Sequence, residues 1–344
     1  MKAMRIGLVV GLAVMLALAL VLFANRGTAN APTEATPVAY PTAAAFALPT
    51  KLAHYHVYVT DLQSGDVGAL GQTTWRLGGG PHGLAMQPGG RYLWITNSSG
   101  FNVWVVDVQT QRVVASVAVG AAPVHLVFSP DGATAYISDF GGTELTVVDV
   151  ATRKAVGSIP TPKGPHGIAI APDGTLIYVA CPLGGAFVIV NAQTRQVVAT
   201  VPLTGGAEPY GVALSHDGKQ AYVSDNTFGK LLIIDTTTRR VIGSVQVGVR
   251  PALVTTIPHS PLVAVAVNGG GAVALVDPLR RVVVALVATA GRPHGVAASP
   301  DGTYLFAADT VVGAISVIDV ATRRAVLQLP VGMFPNDVLV TAVP

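Results

Sequence analysis

Glutamate is nearly missing from this chain: only Glu34, Glu144 and Glu208 occur in 344 residues. Cysteine is represented once, by Cys181, and charged residues of all kinds make up 11%. Each scarcity excludes something. A single cysteine cannot build a disulfide scaffold, and the absence of C-x-x-C-H excludes covalently attached c-type haem. A carboxylate pair for glycoside hydrolysis would have to be drawn from the aspartates, and nothing singles out a pair. No G-x-S-x-G elbow, P-loop or dinucleotide fingerprint is present, because the glycine clusters lie in turns with no helix after them. Catalysis therefore has no legible signature, and the chain leans towards a binding role. The net charge of +3 is too small for a histone-like protein, although it leaves room for a local basic face.

What the chain has is apolar residues and turns: 51% hydrophobic, with 38 glycines and 24 prolines. That is ample apolar material to offset chain entropy. Lys2 and Arg5 precede an unbroken apolar or glycine run over 6–24. The run is long for a signal-peptide core and long enough to span a bilayer. It reads as an uncleaved signal anchor or as a cleaved signal peptide, Ala29-Asn30-Ala31 offering the cleavage pattern. The positive charges ahead of it hold the N-terminus inside and export the rest. The expected location is extracytoplasmic, membrane-anchored through 6–24 or secreted. Residues 25–53 are rich in Ala, Thr and Pro and read as a semi-extended linker.

From residue 54 onwards the sequence repeats. Pro81, Pro123, Pro165, Pro209, Pro251, Pro293 and Pro335 each follow a glycine-containing turn and are spaced by 42 or 44 residues. Each unit runs through four short valine- and isoleucine-rich segments. The turns between them are of the Pro130-Asp131-Gly132 type and of the Asp-x-x-Thr-Arg type. Four strands in about 42 residues is the period of a β-propeller blade. The seventh unit is split. One strand follows Pro335, and three strands within 56–77 match the second to fourth strands of a blade. The predicted fold is all-β: a seven-bladed propeller over 54–344, closed by one C-terminal and three N-terminal strands. Closure removes free sheet edges, so a monomer is expected.

The second strands end in Tyr58-Val59-Thr60-Asp61, Trp94-Ile95-Thr96-Asn97, Tyr136-Ile137-Ser138-Asp139 and Tyr222-Val223-Ser224-Asp225. These residues resemble the YVTN-type β-propeller repeat family, a WD40-like architecture, and the resemblance covers about 54–344. It implies the fold strongly and the function weakly. Similar proteins include surface-layer repeats and secreted DNA-binding propellers. Related propellers carry the haem of cytochrome cd-type nitrite reductase and the copper of nitrous oxide reductase.

Two faces of the predicted disc attract attention. The position after the reference proline reads His82, Val124, His166, Tyr210, Ala252, His294 and Asn336 around the ring, with His125 displaced by one residue. First strands line a propeller's channel, so His82, His125, His166, Tyr210, His294 and Asn336 form a candidate ligand site at one tunnel mouth. Asp139, Asp225 and Asp309 end second strands on the same side. With His82, His166 and His294 they form a candidate metal set, for a transition metal or haem. The competing expectation is that Pro-His-Gly is a duplicated repeat element and the aspartates are turn caps. Two of these histidines two blades apart could share an ion only if the mouth were narrow. Cys181, on this side too, reads as a soft ligand or as a small buried hydrophobe.

The turns between third and fourth strands carry Arg112, Arg153, Lys154, Arg195, Arg239, Arg240, Arg280, Arg281, Arg323 and Arg324. Counting formal charges makes this face net positive and the tunnel-mouth face net negative. The basic rim is a candidate surface for nucleic acid, anionic lipid or a cell-envelope polymer. Solvated arginines paired with turn aspartates are the alternative. A non-catalytic binding or scaffold role, for an unnamed protein or small molecule, is the primary expectation.

Overall fold

The computed structural model describes residues 50–343. The apolar run 6–24 and the linker up to residue 49 lie outside the described residues. Among those described, no helix is long and apolar enough to cross a membrane.

Seven four-stranded antiparallel sheets are present. The first complete blade shows the plan. Its inner strand is Pro81–Met86, followed outwards by Tyr92–Asn97, Asn102–Asp107 and Arg112–Ala118. Five more blades repeat this order, from inner strands Pro123–Phe128, Ile168–Ile170, Pro209–Leu214, Pro251–Thr256 and Pro293–Ala298. The seventh combines Pro335–Ala342 with Tyr55–Asp61, Asp66–Ala69 and Thr73–Arg76, as the split repeat predicts. Val338 and Val340 of that closing strand are buried with Val57 and Val59. The 3-10 turn Thr50–Leu52 sets Leu52 into the same core, fully buried, so packing starts just ahead of the first strand.

Burial follows position in the blade. Second and third strands are buried on both faces, because each sheet is sandwiched between its neighbours. Such strands read as continuous apolar runs rather than alternating ones, as in Val263–Val267. Outer strands such as Lys154–Pro160 are exposed along most of their length. The inner strands of consecutive blades contact one another all the way round. They form a closed ring, and this sets the width of the channel.

The repeat motif explains how the ring is held. Thr96 is fully buried; its hydroxyl accepts from the Gly83 N–H (2.9 Å) and donates to the Val124 carbonyl of the next inner strand (2.8 Å). Thr60, Ser138 and Ser224 donate likewise to the carbonyls of His82, His166 and Ala252. The hydroxyl of the repeated Val/Ile-Thr/Ser step is thus a blade-to-blade fastener beside the channel. Replacing Thr96 with Val would strand the buried Gly83 N–H, while the Val124 carbonyl keeps its bond from His82 Nδ1, at a cost of about 1–3 kcal/mol. Urea unfolding of Thr96→Val should show that loss with an unchanged slope.

Candidate metal centre

The histidine positions are built by bulges. In the first blade Pro81 pairs with Asn97 and Leu84 with Ile95, so His82 and Gly83 together oppose Thr96. The same irregularity lies at Tyr210–Gly211 and His294–Gly295. A bulge turns a side chain away from the regular alternation, and here it sends the ring towards the axis. The glycine that follows is required by crowding. A Cβ on Gly83 would stand 2.3 Å from the Val124 carbonyl oxygen, and one on Gly167 would stand 2.2 Å from that of Tyr210. Pro-His-Gly is therefore a local solution for bringing inner strands close, whatever the histidine does.

The histidines converge. His82, His166 and His294, from the first, third and sixth blades, each offer one ring nitrogen, and the three atoms lie within 4.8 Å of one another. His125 joins them, its ring centroid 4.8 Å from that of His166 and 5.1 Å from that of His82. Tyr210 lies against His166 at 3.8 Å between ring centroids. The mouth is narrow enough for residues two and three blades apart to meet. This follows from the closed inner ring, whose circumference the repeat period alone does not state.

Hydrogen bonds fix the tautomers. His82 Nδ1 lies 3.2 Å from the Val124 carbonyl oxygen and His294 Nδ1 lies 3.1 Å from that of Asn336. A carbonyl only accepts, so both Nδ1 atoms carry the proton and Nε2 keeps its lone pair. The Tyr210 hydroxyl donates to His294 Nε2 at 3.2 Å. His125 Nε2 is buried with no hydrogen-bond partner, whereas His166 faces the Tyr210 backbone in the register that joins His82 to Val124.

Electrostatics keeps these rings neutral. Burial lowers the pKa of His82 and His166 well below the ordinary value, and neighbouring histidines lower it further. Burial brings His125 down to about 3 and His294 down to about 4. Neutral imidazole is the ligating form. Burial also holds the Tyr210 phenol far above its usual pKa. Asp337 is buried beside this group, its Oδ2 3.8 Å from His125 Nδ1, and burial raises it to about 7. Asp337 was not among the candidate ligands. Its place two residues after the last reference proline matches Gly83 of the first blade, and nothing in that register marks it.

The other candidates fall elsewhere. Asn336 is a bridge: its carbonyl serves His294 and its amide lies 3.4 Å from the His82 carbonyl. Asp139, Asp225 and Asp309 do not join the histidines, because second strands stand one strand further from the axis. Asp225 accepts from the Glu208 N–H. Asp139 and Asp309 accept short hydrogen bonds, both 2.6 Å, from Thr146 and Ser316. They are caps and braces of the loops. Cys181 is fully buried among Val179, Val188 and Ile177, with its thiol pushed up to about 12 by burial. It is core.

The arginine rim is occupied by its own fold. Arg153, Arg195, Arg239, Arg281 and Arg323 take left-handed backbone conformations in the turns. Arg195, Arg239 and Arg323 donate to the carbonyls of Val156, Val198 and Val284, each on the outer strand of the preceding blade. Arg280 pairs with Asp277, and Arg91 with Asp107. Arg112, Lys154, Arg240 and Arg324 begin outer strands and are exposed.

Fold and site together define a seven-bladed propeller with a cluster of neutral histidines at its channel mouth. No family model matches the chain, and no curated protein matches its sequence. Solved structures do. A chain of hydrazine synthase from Kuenenia stuttgartiensis is 24% identical, with a TM-score of 0.65, over 75% of this chain and 88% of that one. A putative 6-phosphogluconolactonase from Bacteroides fragilis NCTC 9343 is 15% identical, with a TM-score of 0.70, over 85% and 99%. The dihydro-heme d1 dehydrogenase NirN, solved in complex with DHE, is 14% identical, with a TM-score of 0.63, over 83% and 74%. At these identities the likeness is one of fold.

Proposed function

We propose that this protein is an extracytoplasmic propeller of the YVTN repeat type whose channel mouth binds a single first-row transition-metal ion through His82, His166 and His294. One observation carries the reading: three imidazole nitrogens from three different blades lie within 4.8 Å of one another. Three atoms at that spacing place a central ion at most roughly 2.8 Å from each. Metal–nitrogen bonds of about 2.0–2.1 Å then require each ring to move inwards by roughly 0.7 Å. Side-chain rotation accommodates such a shift. An all-imidazole donor set suits zinc, copper, nickel or iron, and three protein ligands leave a position for water or a small anion.

The spacing also bears on the haem alternative. The four rings stand about 5–6.5 Å apart between centroids, which suits one ion and leaves no room among them for a macrocycle. The binding role expected from sequence is retained, with no reaction assigned. Polyanion binding by the arginine rim is the weaker reading, since several of those side chains are bonded to the fold.

The test is metal analysis of protein stripped with chelator and titrated with Zn²⁺ and Cu²⁺, alongside its visible spectrum. One equivalent of metal per chain is expected, with no haem absorbance. A stoichiometric haem band, or no metal retained after gel filtration, would overturn the reading.

A further inference from the structure

The tunnel-mouth face carries a second feature, independent of the histidines. Its carboxylates are hidden: Asp61, Asp66, Asp139, Asp225, Asp309 and Asp337 are all buried. Glu144 and Glu208 are the acids left at its surface, Glu144 half-buried. Opposite them stand Arg76, Lys163, Lys230, Arg250 and Arg292. The formal count made this face negative. Arg76 pairs with the buried Asp66, so the solvent-exposed charged groups of this face are mostly basic: four unpaired cations beside two glutamates. Among the described residues, Lys163, Lys230, Arg250 and Arg292 form no ion pair.

The loop tips on this face are apolar. Phe101 is 68% exposed, Met333 65% and Val249 62%, with Leu183, Phe228 and Val312 beside them in the exposed class. These tips come from blades spread around the ring. Several stand next to an unpaired cation. Lys230 lies over the Phe228 ring, Arg250 follows Val249, and Val312 packs by Gly291 next to Arg292. The arginine face is the reverse case. Its exposed cations are more numerous, yet Leu279 is the large exposed hydrophobic in its turns.

We infer that the tunnel-mouth face docks onto an anionic bilayer surface. A partner protein would have to be as wide as the whole face to meet tips on most blades at once, whereas a bilayer is flat and meets all of them without a matched shape. Each apolar tip enters the headgroup boundary while its neighbouring cation stays with the phosphates. The chain enters the ring at Thr50, before a strand that runs towards the mouth face.

The fragment 50–344 contains every strand of the closed ring and all seven cores, so it folds as a unit and tests the contact without the apolar run. It would be sedimented with vesicles of phosphatidylcholine containing phosphatidylglycerol, and with phosphatidylcholine alone, in chelator. Expected is binding to the anionic vesicles alone. It should weaken by roughly tenfold or more in Phe101→Ser/Phe228→Ser/Val312→Ser and in Lys163→Glu/Arg250→Glu/Arg292→Glu. Arg240→Glu/Arg324→Glu, on the opposite face, should leave it unchanged. Thermal melts confirm that each variant is folded. No sedimentation with anionic vesicles would overturn the inference. So would binding that survives both mouth-face variants and disappears in the arginine-face variant, or self-association through the tips without vesicle binding. Because no metal is present, these outcomes are independent of the metal reading.

Discussion

Replacing His82, His166 and His294 together by alanine should abolish stoichiometric metal binding, weakening the affinity for Zn²⁺ or Cu²⁺ by at least about a hundredfold. Single replacements should each cause most of that loss, since two imidazoles from separate blades hold an ion far less firmly than three. The second sphere gives a graded test. Asn336 accepts from His294 Nδ1 through its backbone carbonyl, so Asn336→Ala keeps that bond and should bind metal nearly as before. Asp139→Asn and Asp309→Asn should also leave affinity unchanged, because both carboxylates are bonded to Thr146 and Ser316 away from the channel. Isothermal titration of the set separates the three-histidine site from the wider carboxylate-containing set that the sequence suggests. Metal binding by the folded protein should persist down to about pH 4, where protons begin to compete for His294.

The metal-free protein should lose stability steeply between pH 6.5 and about 4. His82, His125, His166 and His294 all have folded pKa values below the ordinary histidine value of 6.5. The unfolded chain therefore takes up protons there that the folded one refuses. Stability from this source is full above pH 6.5 and is lost as pH falls towards the folded values. Asp139 and Asp337 act in the opposite sense. Burial raises each to about 7, so the folded form holds protons that the unfolded form releases. Their contribution is full below about pH 4 and is lost as pH rises through 7. Four histidines outweigh two carboxylates in the acid window by a net two protons, a slope of roughly 2–3 kcal/mol per pH unit. Above pH 7 the carboxylates and the histidines are deprotonated in the folded and the unfolded chain alike, so stability should level off. Chemical unfolding at a series of pH values should show a rise to a plateau near pH 7. His125→Gln should flatten the acid limb, and Asp337→Asn should steepen it. A flat profile from pH 4 to 6.5 would contradict the buried, neutral cluster.

The repeat made the architecture legible almost completely. A period near 42 with four apolar segments per unit requires blades, and the orphan strand after Pro335 requires the three strands after His54. The site was legible only in part. Pro-His-Gly marks ring positions, but whether His82 and His166 meet depends on inner-strand spacing, which is set by contacts such as Thr96 to the Val124 carbonyl. The metal-set aspartates look like ligands because formal charge is visible in a sequence and burial against a backbone amide is not. The same blindness hides that the solvent-exposed charged groups of the mouth face are mostly basic. It also makes Arg195 and Arg239 look free when they are bonded to neighbouring blades. Pro-His-Gly at a bulge, with a glycine that tolerates no Cβ, is a signal that a ring is being turned to the axis. It can be recognised once the partner strand is known.

The most direct measurement is X-ray absorption fine structure on protein loaded with one equivalent of zinc or copper. The account predicts about three imidazole nitrogens at roughly 2.0 Å, with outer-shell scattering from the rings. Conversion to an oxygen-dominated shell in His82→Ala/His166→Ala/His294→Ala should follow. An oxygen-dominated shell in the unaltered protein, or an unchanged spectrum in that variant, would contradict it.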